Sequence, residues 1–117
     1  MILGSGMVLE AVLSGAVAAN QPKCHVDAVG HDKHGVQDIQ ATQRVVLNST
    51  TDVALCSYSL FVGFVEVLGL WIYNKDTANV TVTVKTSASG GDRILVKQTL
   101  LPDETLGYSN TIGWYVL

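Results

Sequence analysis

The sequence predicts an all-β fold, a single antiparallel sandwich or jelly-roll-like barrel of about seven or eight strands. Three observations predict it. Residues 80–86, VTVTVKT, alternate between valine and a polar side chain, the period of two expected for a strand with one buried face. Short apolar runs rich in Val, Ile, Phe, Trp and Tyr return at a spacing of roughly ten residues, with Gly, Asn, Asp, Ser and Pro between them. No segment shows a convincing helical period.

The elements follow in order. Residues 7–13, MVLEAVL, read as a strand with Leu9, Ala11 and Leu13 on one face. Val8 and Val12 flank Glu10 on the other face, toward solvent or a partner. Gly4, Ser5 and Gly6 precede the run, and Ser14 and Gly15 follow it. A cleaved leader is the rival reading of residues 1–19, because Ala16, Val17 and Ala18 resemble a small-residue cleavage site. Against it, no Lys or Arg precedes Lys23, and Glu10 interrupts the apolar stretch. The run is also too short and glycine-interrupted to span a bilayer.

Residues 20–43 are polar and hold all three histidines, so they are expected to form a long connection or extended arm with at most one short strand. Residues 44–58 contain two apolar runs around a polar turn and suggest a hairpin. Residues 60–73, LFVGFVEVLGLWIY, read as two strands with a bend or bulge near Gly69. A turn at 74–79 leads into the alternating strand, with Val80, Val82 and Val84 inward. Gly90 and Gly91 suit a turn with positive φ. Residues 93–101 form the next strand, Pro102, Asp103 and Glu104 turn the chain, and 106–108 and 112–117 close the sheet.

The 117 residues are expected to make one β-domain, with 20–43 as its polar loop or arm. Only 15% of residues are charged, below the usual ~25%. A surface this poor in charge suits a protein partly covered by neighbours. Net charge is −3 and the seven cations are scattered, which argues against direct nucleic-acid binding and against a polybasic membrane patch.

The search for chemistry yields little. Cys56 lies in an apolar run and reads as a buried thiol, with a bridge to Cys24 as the alternative. Cys24, His25, His31 and His34 lack the usual spacing of zinc ligands, even with Asp27 and Asp32 nearby, and read as a solvated loop with no metal. There is no G-x-S-x-G elbow and no distinctive carboxylate pair, and Gly90-Gly91 is not followed by the Lys-Ser/Thr of a phosphate loop. The chain therefore reads as a non-enzyme without cofactors. Trp71, Tyr73, Tyr108, Trp114 and Tyr115 are expected in a core or protein interface, with a carbohydrate or base-stacking surface as the alternative.

The C-terminal half carries a recognisable series. It runs through Tyr73-Asn74-Lys75-Asp76, the strand from Val80 to Val84, Arg93 to Lys97 with Thr99 and Leu100, Pro102-Asp103-Glu104, and Gly113-Trp114-Tyr115-Val116-Leu117. This series resembles small virion proteins of tailed bacteriophages, as does the opening GSGMVLEAVLSGAVAANQP. Residues 23–43 depart from that pattern. The resemblance implies a structural protein, most like capsid decoration or cementing proteins. Such a protein is made in the host cytoplasm, sits on the capsid surface, bridges major capsid protein subunits, and forms dimers or trimers. Candidate interface residues are Met7, Leu9, His31, His34, Trp71, Trp114 and Tyr115. The alternative is a neck, tail or fibre-associated module that binds a partner protein or host glycan. A small secreted β-protein with one disulfide is a third reading.

Overall fold

Alternation decides which side chains these strands bury. The computed structural model describes residues 1–31, 38–47, 50–57 and 64–117, with the backbone alone at 38–41. Among the described residues there are ten strands: β1 (Ile2–Leu3), β2 (Val8–Leu13), β3 (Lys23–His31), β4 (Asp38–Val46), β5 (Val53–Ser57), β6 (Phe64–Tyr73), β7 (Val80–Ala88), β8 (Gly91–Leu100), β9 (Thr105–Ser109) and β10 (Gly113–Val116). All pairings are antiparallel.

They form two sheets that pack face to face as a sandwich. The larger sheet has the order β10-β9-β6-β3-β4, with β1 beside β6; the smaller has the order β5-β2-β7-β8. Leu9, Ala11 and Leu13 of β2 and Val80, Val82 and Val84 of β7 line the inner face of the smaller sheet. Cys24, Val26 and Ala28 of β3, with Val65, Val67, Leu70 and Ile72 of β6, line the facing wall. Each fully buried Leu or Ile contributes roughly 1.5–3 kcal/mol by leaving water. Glu10 lies on the outer face, paired in register with Lys85, as the β2 alternation predicts.

Several expectations give way. Among the described residues the strand count exceeds the predicted seven or eight, chiefly because residues 23–31 and 38–43, expected in a loop or arm with at most one short strand, lie in two strands. β3 lies inside the larger sheet between β4 and β6, and β4 forms its edge. Cys24, Val26, Ala28 and Gly30 alternate inward, but these side chains are small, so the stretch looks polar although one face is buried.

The expected hairpin at 44–58 is replaced by a crossing between sheets. β4 pairs with β3 and β5 pairs with β2, so the two runs belong to different sheets. Between 64 and 73 there is one strand instead of two. Its irregularity is a bulge: Asp27 pairs with Gly69 and Ala28 with Val67, leaving Leu68 as the extra residue.

One end of the sandwich is a polar knot. The β2–β3, β6–β7 and β8–β9 connections all cross between sheets there. Asn74 is fully buried, and its Nδ2 donates to Ala78 O at 3.0 Å and to Leu100 O at 3.1 Å. Its Oδ1 accepts the Asp76 amide at 2.9 Å. Asp76 in turn accepts the amides of Ala18, Ala19 and Asn20 at 2.8–3.0 Å. These backbone bonds, that from Ala18 foremost, hold the Asp76 carboxyl down at about 2. Asp103 occupies the left-handed region at φ 67° in the third loop and accepts a hydrogen bond from the Tyr73 hydroxyl.

Candidate functional site on the outer face of the larger sheet

The two outer faces differ in chemistry. On the smaller sheet, Thr81 and Thr99 share a 2.8 Å hydroxyl bond. Beside them Lys85 Nζ sits 2.7 Å from Asp92, 2.9 Å from Asp52 and 3.9 Å from Glu10. The bonds to Asp92 and Asp52 raise the Lys85 pKa, while burial first, and then Asp52, raises that of Glu10. One ammonium here faces three carboxylates, so the cluster ties β2, β7 and β8 to Asp52 and keeps an excess of negative charge.

The outer face of the larger sheet is aromatic. Register places Tyr115, Gly107, Trp71, His25 and Arg44 in one row across β10, β9, β6, β3 and β4. The next row is Gly113, Ser109, Gly69, Asp27 and Thr42. Small side chains in the second row leave a trough beside the bulky first row. The Trp71 indole leans over it, so that a Cβ on Gly69 would stand 2.9 Å from the six-membered ring. The Tyr115 ring likewise covers Gly107 directly. Aromatic rings laid over strand glycines shield backbone that would otherwise face water.

The trough is a shallow depression of about 440 Å³, lined by Asp27, Thr42, Leu68, Gly69, Trp71 and Ser109 among others. Asp27 Oδ1 accepts the Thr42 hydroxyl at 2.9 Å and lies 3.2 Å from His25 Nε2. The His25 and Trp71 rings stand 5.4 Å apart and tilted. Further along, His31 stacks on Phe64 at 4.6 Å and stands 3.5 Å from Glu66, whose Oε1 accepts the Asn110 amide at 2.9 Å.

Of the candidate interface residues, His31, Trp71 and Tyr115 share this outer face. Leu9 does not: it is fully buried in the core, on the inward side of β2, and is closed to a partner. Met7 and Trp114 pack partly buried against the core, Trp114 tilted 5.0 Å from Tyr108. His34 lies outside the described residues. The Cys24–His25 pair is split by the pleat, with the thiol inward and the imidazole outward. Among the described residues, no three His, Cys, Asp or Glu side chains are grouped to hold a metal ion. Cys24 and Cys56 are both free thiols.

Residue reasoning missed Asp27 and Thr42 as members of one surface, since they meet only through the β3–β4 register. It also missed which strands are sheet edges. Among the described residues, β4 and β5 are the edges on one side, where they contact each other, and β8 and β10 are the edges on the other. Ile94, Leu101, Ile112, Val116 and Leu117, all on these two strands or the turns beside them, are 40–75% exposed. No protein-family model, curated protein or solved structure matches this chain.

Proposed function

We propose that the chain is a non-enzymatic structural protein of a tailed-phage particle, a decoration or cementing protein that seats on the outer shell and bridges neighbouring major capsid protein subunits. The observation that carries this reading is the β8/β10 side. Among the described residues the ten-residue strand β8 is an edge that pairs with β7 alone, and exposed Ile94, Val116 and Leu117 flank it. An edge of this kind invites strand addition by a partner. The phage-like series in the C-terminal half supports the same reading, because its segments build this side and the knot beside it.

The bridging role moves accordingly. An extended arm at 20–43 would suit a bridge, but β3 and β4 are bound into the larger sheet. The β8/β10 side, with its exposed apolar side chains, then spans a joint between subunits. A stable seat requires roughly 1,000 Å² or more of buried surface, more than one strand edge supplies. A dimer or trimer that brings several such edges to the shell meets that requirement.

The test is binding of purified protein to shells that lack it, followed by heating until DNA escapes. Saturation at a fixed copy number, a higher escape temperature, and loss of both with Ile94→Lys or Val116→Lys are the expected results. A folded protein that ignores such shells at every concentration overturns the assignment. Light scattering on the free protein reads the oligomeric state.

A further inference from the structure

We infer that the trough beside Trp71 is a carbohydrate site, taking the ring of a neutral pyranose. This does not rest on shell seating, because the trough and the β8/β10 side are different surfaces. A pyranose has one face of C–H groups and a rim of hydroxyls. The C–H groups carry partial positive charge and pack against the electron-rich face of an indole, while the hydroxyls need donors and acceptors.

The trough supplies both. Trp71 is half-buried, held by the sheet and backed by His25, so little side-chain freedom is lost on contact. Gly69 lets the Trp71 indole lie flat over the strand, which leaves the outward face of the indole for a sugar ring. Asp27 spends only Oδ1 on Thr42 and His25, and Oδ2 has no hydrogen bond among the described residues. An unspent carboxylate oxygen beside an aromatic wall suits a sugar hydroxyl, since a charged acceptor makes a stronger bond than a neutral one. The Ser109 hydroxyl and Thr42 complete the polar rim.

The volume decides between ligand sizes. About 440 Å³ lies toward the lower end of the ~300–1,000 Å³ typical of small-molecule sites. A terminal sugar or a disaccharide fits better than a long chain. The sign of the charge decides between sugar types. Asp27 faces the trough directly, which disfavours acidic sugars and phosphorylated glycans.

The experiment is a titration of the isotope-labelled full chain with methyl glucoside, methyl galactoside, N-acetylglucosamine and sialic acid, followed by nuclear magnetic resonance. At least one neutral sugar is expected to shift the Trp71 indole N–H and the Thr42 and Ser109 amides in a saturable way, leaving the Trp114 indole unmoved. Asp27→Ala, with its spectrum otherwise native, is expected to weaken that binding about tenfold, the worth of one charge-assisted hydrogen bond. Trp71→Ala is expected to abolish it, while Trp114→Phe leaves it intact. No shift with any neutral sugar, a response only to sialic acid, or binding that survives both Asp27→Ala and Trp71→Ala overturns the assignment. Shell binding measured on the same variants is expected to be unchanged, so failure of this site and failure of the shell role are read separately.

Discussion

Asp76 Oδ2 accepts the backbone N–H of Ala18 at 2.8 Å, joining two loops that cross between the sheets. Ala19 and Asn20 add their amides to Oδ1 of the same carboxylate. One side chain thus pairs three successive amides of an exposed loop with a buried carboxylate.

The acid limb of stability follows from that carboxylate. Its folded pKa is depressed from 3.8 to about 2, so its contribution is fully present above 3.8 and is lost as pH falls through about 2. Asp76→Asn keeps the size but loses the charge and brings an N–H₂ among donors. The variant is expected to be less stable at neutral pH and to show a flatter decline between pH 4 and 2. Denaturant unfolding at a series of pH values checks both. Parallel curves for variant and parent would show that the charge contributes nothing.

Asn74 is the neutral centre of the same knot. Asn74→Ala leaves the Leu100 carbonyl, the Ala78 carbonyl and the Asp76 amide without their side-chain partner. With roughly 1–3 kcal/mol for each buried group left unpaired, part of it recovered by water, a loss of about 3 kcal/mol is expected. Equilibrium unfolding in urea measures it; a loss below about 1 kcal/mol would mean that other bonds hold the loops.

The two covered glycines on the outer face are expected to differ. In Gly107→Ala the new methyl overlaps the hydroxyl end of the Tyr115 ring, across paired strands, more deeply than at Gly69, and overpacking is expected to cost about 1–3 kcal/mol. In Gly69→Ala the methyl meets the far edge of the Trp71 indole at 2.9 Å, a shallower overlap. Stability then changes less, and Trp71 fluorescence, read in a Trp114→Phe background, shifts instead. Equal stability losses without a fluorescence change would contradict this.

Both thiols are expected to be slow in the folded protein. Burial pushes Cys24 up to about 12 and raises Cys56, so little thiolate exists at neutral pH. A disulfide-exchange reagent is expected to titrate two thiols in denaturant and to react far more slowly without it. Rapid reaction of either thiol in the native state would contradict the burial of β3 or β5.

The legible parts of the chain were those whose signal is local. Val80, Val82 and Val84 announce their own face, because alternation with threonine needs no knowledge of a partner. Leu9, Ala11 and Leu13 do the same around Glu10, and Gly69 marks its bulge because glycine weakens a regular strand. In β3 the inward positions are Cys24, Val26, Ala28 and Gly30, so the apolar signal fades along the strand while His25, Asp27 and His31 dominate its appearance. The candidate interface was only partly legible for a related reason. Trp71 is large and apolar in a strand, and only the sheet shows that it faces the trough and not the core.

The sequence by itself determined the fold class, the alternating faces of β2 and β7, and the turns at Gly90 and Pro102, since these depend on neighbours along the chain. Tertiary structure alone decided that β4 and β5 part into different sheets, that Asn74 and Asp76 bind three loops together, and that Asp27, Thr42, Trp71 and Ser109 line one trough. Those outcomes depend on which strands pair and in what register. That choice is made by the combined burial of both sheets, which no single segment encodes.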